Sequence, residues 1–175
     1  MTTRIAFLRA VNVGRRTVSM ARLVEIFDEL GHRDVWTYIN SGNVIFDAAG
    51  SRADLERSIE VALEHEYGFE VTTFVRTATE IDRVLQVEPF AVADGDTYFV
   101  TFLKTTPSAE TILLLESSSN EFDTLVVRGR EVHWRMRGRS TDTKLKKKDW
   151  KVVGELGSTS RNTTMLRKLA SKLGG

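Results

Sequence analysis

A chain of 175 residues with 41% hydrophobic content can bury a real core, roughly 70% of the surface its unfolded form would expose, as one domain or two joined subdomains. No apolar run approaches the ~18 residues of a membrane span, Met1–Arg4 leads into a strand rather than a leader segment, and the lack of cysteine excludes disulfide and thiolate chemistry. The expected setting is therefore the cytoplasm, without membrane contact. A net charge of +1 conceals an asymmetry: residues 1–127 hold 11 basic and 20 acidic side chains, a balance of −9, against 14 and 4, a balance of +10, in residues 128–175. Such polarity marks a surface for an acidic partner or nucleic acid, or more simply a solvated or internally paired face.

Taken in chain order, Arg4–Ala10 is apolar on both faces, Ile5 and Phe7 against Ala6 and Leu8, which predicts a central strand. After a polar loop, Met20, Leu23, Val24, Phe27 and Leu30 keep helical spacing, with Ser19 as N-cap and Gly31 as stop. Val35–Asn40 and Asn43–Asp47 read as a hairpin around Ser41-Gly42. Ser51, with Asp54 three residues on, opens a second helix carrying Leu55, Ile59, Ala62 and Leu63, closed by Gly68, and Val71–Arg76 is a further strand.

The second half repeats that order in outline. Thr77 and Glu80 form a capping box for a short helix that ends before Pro89. Thr97–Lys104 is a strand, Thr106-Pro107 starts a helix through Ile112–Leu115, and Phe122–Arg128 with Glu131–Arg137 forms a hairpin around Gly129. A helix near Lys144–Leu156 follows; no final strand is evident, and Arg161–Leu173 reads as a last helix. The predicted class is α+β: a ferredoxin-like βαββαβ subdomain over residues 1–77, then a second, incomplete ferredoxin-like subdomain with C-terminal helices over 78–175, as two subdomains or one compact domain.

The run Leu8-Arg9-Ala10-Val11-Asn12-Val13-Gly14, then Met20 and Leu23, then Thr37-Tyr38-Ile39-Asn40-Ser41-Gly42-Asn43-Val44-Ile45-Phe46, resembles a bacterial family of uncharacterised proteins catalogued as domain of unknown function 1697. The resemblance spans nearly the whole chain and implies two ferredoxin-like subdomains and no established activity. Ala10 and Arg15 stand where that family usually has glycines, so this loop is expected not to need a positive φ at either point. After Arg161-Asn162 the chain has Thr163-Thr164-Met165 where the family tends towards Trp-Asn-Thr, so no stacking role for that tryptophan carries over.

A right-handed crossover makes the first two strands parallel, which brings the 10–19 loop and the 40–43 turn to one sheet edge. Arg9, Asn12, Asn40, Ser41 and Asn43 are expected to converge there, beside the start of the first helix, where free amides and the helix dipole favour an anion. Arg9 offers a forked donor for phosphate or carboxylate, and Gly14 allows close backbone approach. The structural reading of the same residues has the asparagines closing turns and Arg9 pairing with a carboxylate. A second candidate is Arg161 with Asn162, among hydroxyls at the start of the last helix, where ordinary capping is the competing reading.

In Glu131–Arg137, Val132, Trp134 and Met136 face one way and Glu131, His133, Arg135 and Arg137 the other. Arg135 and Arg137, followed by Lys146, Lys147 and Lys148, form a basic face able to track a phosphate backbone, or else a paired and solvated one. His32, His65 and His133 are scattered and read as surface histidines, and the carboxylates around 25–29 and 56–66 read as solvation of polar helix faces. No nucleophile elbow, metal spacing or cofactor motif is present, so no cofactor or metal is expected and binding is favoured over catalysis. The expected function is a binding protein for a phosphate-bearing small ligand or nucleotide at the edge of the 10–19 loop and the 40–43 turn; the alternative is a nucleic-acid-binding module using the 128–151 face. Oligomeric state is left open by the sequence.

Overall fold

Two-sided apolar patterning in the first strand has the consequence expected of it. In the computed structural model, which describes residues 1–12, 14–39 and 42–174, β1 (Thr2–Leu8) lies inside a four-stranded antiparallel sheet of order β2-β3-β1-β4, with β2 Arg33–Thr37, β3 Asn43–Ala48 and β4 Thr73–Thr77. One face, with Ala6, Leu8, Val44, Phe46 and Val75, packs against α1 (Met20–Glu29) and α2 (Arg52–Tyr67) through Leu23, Phe27, Leu55, Ile59 and Leu63. Burying each of those large side chains stabilises the fold by roughly 1.5–3 kcal/mol. Ile5, Phe7, Ile45 and Phe74 on the opposite face are buried as well.

The chain divides into two compact units, Met1–Ile81 and Asp82–Gly175. The second contains β5 (Thr97–Leu103), α4 (Ala109–Ser117), β6 (Asp123–Arg128), β7 (Glu131–Met136), α5 (Lys147–Leu156), β8 (Ser158–Asn162) and α6 (Thr163–Leu173); α3 (Ala78–Gln86) spans the boundary. Its sheet has the order β6-β7-β5-β8, the same topology as the first. The final strand that the sequence does not announce is therefore present, as β8. Ser-Thr-Ser-Arg-Asn carries no apolar alternation, and its pairing as an edge strand rests on backbone bonds to β5. Both units are thus βαββαβ, and α6 is an addition rather than a replacement.

Local signals place most helix starts. Ser19 and Ser51 accept the amides of Arg22 and Asp54, and Thr77 and Glu80 exchange bonds at 3.0 and 2.8 Å in a capping box. The fourth helix starts later than Thr106-Pro107 suggests, since Ser108 is the cap and accepts from Thr111 at 3.1 Å.

Carboxylates read as solvating turn out to seal an edge. On β4 the outward amides of Thr73, Val75 and Thr77 donate to Glu60, Glu56 and Glu80 at 2.8, 2.9 and 2.8 Å. Glu56 is only 4% exposed, with Arg52 as counter-ion. On β6 the amides of Asp123, Leu125 and Val127 donate in the same way to Asn120, Ser119 and Glu116. These side chains occupy backbone donors that would otherwise offer a template to another strand. Glu25, Glu29 and Glu66 likewise gather on Arg22.

Candidate functional site

The 10–19 loop and the turn after β2 meet because β1 and β2 are both antiparallel to β3. Phe7 stands opposite Asn43, the Leu8 amide donates to the Gly42 carbonyl at 2.8 Å, and the Arg9 amide donates to Thr72 at 2.9 Å. Gly42 has φ +74°, and a Cβ there would lie 2.8 Å from Val11 Cγ2 and 3.0 Å from Leu8 Cβ, so the two segments touch at a point where only glycine fits. Gly14, at φ +64°, faces open space.

The predicted residues divide by exposure. Arg9 is exposed, and its guanidinium has no hydrogen bond or ion pair among the described residues; the same holds for Arg15. Arg16 lies over the Phe69 ring, 4.5 Å from its centroid. Asn12 is exposed and its Oδ1 accepts from the Val18 amide at 2.9 Å, which closes the loop. Asn43 is fully buried and donates from Nδ2 to the Tyr38 carbonyl at 2.9 Å, so it supports the turn from within. Asn40 and Ser41 lie outside the described residues. The first turn of α1 contains no acidic residue, which leaves this edge cationic. Ala10, expected to avoid a positive φ, adopts +54°, whereas Arg15 does not. The loop geometry that glycine usually serves is kept here despite a Cβ.

At the start of α6, Arg161 and Asn162 are both occupied. Arg161 donates from Nη1 to Thr159 Oγ1 at 2.7 Å and to the Ser160 carbonyl at 2.9 Å, and burial pushes its guanidinium down to about 10. Asn162 is the N-cap, accepting from the Thr164 amide at 2.8 Å. One turn further on, Thr163 and Arg167 join Glu88, Phe90, Val92 and Tyr98 around a cavity of about 480 Å³. The sequence contained no sign of it, because Glu88–Tyr98 and α6 are brought together only by β8 pairing with β5. A shallower apolar groove of about 580 Å³ runs between α1 and α2, lined by Ile26, Leu30, Val61 and Ala62.

Most of the basic 128–151 face is paired within the molecule. Arg135 donates to the Ala91 carbonyl and to Thr124 Oγ1, both at 2.8 Å, and Arg137 pairs with Asp96 at 3.0 Å. Arg139 pairs with Asp142 at 3.2 Å. Lys146, Lys147 and Lys148 are exposed at the start of α5, where the helix dipole disfavours cations.

His133 is not a surface histidine. It is fully buried and hydrogen-bonded through Nδ1 to the Tyr98 hydroxyl. Burial, helped by the charge of Arg128, lowers His133 to about 4, and burial raises Tyr98 to about 12. Strand alternation put His133 on the face opposite Trp134, as found; that this face is also covered is a tertiary fact. Among the described residues no group of three or more His, Cys, Asp or Glu side chains is placed to hold a metal ion. No described helix is long and apolar enough to cross a membrane.

The conserved bacterial protein SP0830 from Streptococcus pneumoniae is similar in structure, with a TM-score of 0.74 and 21% identity over 100% of this chain and 99% of that one. At that identity the likeness speaks for the shared fold. A search among curated proteins finds no match. The sequence model of a family described as protein of unknown function, DUF1697, matches residues 1–133, and the chain belongs to that family.

Proposed function

We propose that this chain is a binding protein for a phosphate-bearing small ligand, a nucleotide being the natural case, held at the edge formed by the 10–19 loop and the 40–43 turn. The observation that carries this reading is the exposed Arg9 guanidinium, without a partner among the described residues, at the end of a strand whose backbone is tied on both sides. With the backbone already fixed, only the rotamers of the Arg9 side chain are ordered when an anion arrives. Arg9 pairs with the phosphate, Arg15 adds charge, and Asn12 with Asn40 and Ser41 supplies directional hydrogen bonds. Gly14 lets the backbone come close. Asn43 acts from beneath, by holding the turn that presents its neighbours.

The test is titration calorimetry with ADP and pyrophosphate at low and physiological salt. Saturable binding is expected, weakened by about tenfold or more in Arg9→Ala and weakened by salt. Absence of heat with both probes at about millimolar concentration, the range of the weakest useful affinities, overturns the reading, as does binding that Arg9→Ala leaves unchanged.

A further inference from the structure

We propose that the second unit carries a separate site for a zwitterionic α-amino acid with an aromatic or branched apolar side chain, in the cavity framed by Glu88, Phe90, Val92, Tyr98 and Arg167. At about 480 Å³ the cavity falls in the range of small-molecule pockets. Its residues all lie between 82 and 175, so the inference does not depend on the Arg9 edge.

The charges select the ligand class. Arg167 and Glu88 both line the cavity, yet Nη2 and Oε1 are 3.5 Å apart and the two side chains are 49% and 68% exposed. That is longer than the 2.7–2.9 Å typical of a charge-assisted bond, and a pair this exposed contributes little by itself. Both charges also act on the Tyr98 phenol, Arg167 lowering and Glu88 raising its pKa, so they converge on one region. A simple anion would meet Glu88, and a simple cation would meet Arg167. A carboxylate and an ammonium on a single carbon satisfy both.

The walls are mixed: Phe90, Ala91 and Val92 give an apolar side next to the hydroxyl-bearing Thr163 and Thr164, and the aromatic part is held in place. Phe90 meets Tyr98 edge-on at 4.9 Å, and the Arg135 guanidinium lies over the Phe90 ring at 5.3 Å while donating to the Ala91 carbonyl. Tyr98 is anchored from behind by His133. Glu88 has φ +39° and precedes Pro89, a left-handed conformation that non-glycine residues rarely take and that clusters at ligand-binding positions. It sets the direction in which the Glu88 side chain leaves the backbone.

Calorimetry with L-phenylalanine on the full chain tests this. Saturable binding is expected, with N-acetyl-L-phenylalanine and L-phenylalaninamide each weaker by about tenfold or more, because each lacks one charge. Arg167→Gln and Glu88→Gln, both at exposed side chains, should weaken L-phenylalanine to a similar degree and leave the thermal melt unchanged, while Phe90→Ala weakens it through loss of the wall. Arg9→Ala should have no effect on it, which separates this site from the nucleotide reading. No binding of L-phenylalanine at about 10 mM, beyond the weak end of useful affinity, overturns the proposal. So does equal binding of the acetylated or amidated analogue, or indifference to both charge variants.

Discussion

The indole Nε1 of Trp134 donates to Asp123 Oδ1 at 2.9 Å, a bond between adjacent strands that ties a polar atom of an apolar side chain to a fully buried carboxylate. Asp123 also accepts from Thr143 Oγ1 at 2.7 Å, the Lys144 amide at 2.8 Å and Asn120 Nδ2 at 3.2 Å. Four donors on two oxygens leave little of the carboxylate unsatisfied, and they fasten the 143–144 segment to the sheet. Asp123→Asn puts an amide NH₂ where donors already point. It should lower the unfolding free energy by about 2–3 kcal/mol, read as a lower midpoint with an unchanged m-value in urea unfolding.

His133 makes stability depend on pH. Its folded pKa, about 4, lies below the unfolded value of 6.5, so the unfolded chain binds the extra proton first. The associated stability is fully present above pH 6.5 and is lost as pH falls towards 4, up to about 3 kcal/mol. In His133→Gln the decline in urea midpoint between pH 7 and 4.5 should be shallower than in the parent chain. Equal slopes would show that the buried imidazole is not the cause.

The contact between loop and turn has two opposite substitutions. Gly42→Ala adds a Cβ 2.8 Å from Val11 Cγ2 at a φ of +74° and should cost about 2–3 kcal/mol. Ala10→Gly relieves a φ of +54° and should raise stability by roughly 0.5–1 kcal/mol. Thermal melts of the two variants should move in opposite directions.

Removal of an edge acceptor should show in both stability and association. Glu56→Ala strips the Val75 amide of its partner and Arg52 of its counter-ion, at about 2–3 kcal/mol. Light scattering after partial heating should rise sooner than in the parent chain, because β4 then offers an open donor. Glu56→Gln keeps an acceptor oxygen and should scatter less than the alanine variant.

Much of the architecture was legible in local patterning. Period-two and period-3.6 runs, the serine caps at 19 and 51 and the Thr77–Glu80 box identified the elements of the first unit and most of the second. Their order implied the ferredoxin-like topology, and with it the approach of the end of β1 to Gly42. These features depend on neighbours within a few residues, so one-dimensional spacing suffices. β8 escaped because Ser158–Asn162 is wholly polar in sequence and is placed by backbone pairing with β5.

Only the tertiary structure decided what each polar side chain does. Glu56 and Glu60 look like solvent-facing helix residues until β4 is placed beside them; His133 looks exposed until its sheet face is covered. Asn12 and Asn43 have the same chemistry in the sequence, yet one lies at the loop surface and the other is sealed inside. The cavity of Glu88, Tyr98 and Arg167 joins residues far apart along the chain through strand pairing. Hydrogen-bond partners and burial are set by long-range contacts, which residue type and spacing do not encode locally. The amino-acid sequence by itself determined most of the elements and the topology that their order implies. Three-dimensional packing determined which of its polar groups are enclosed and which are exposed.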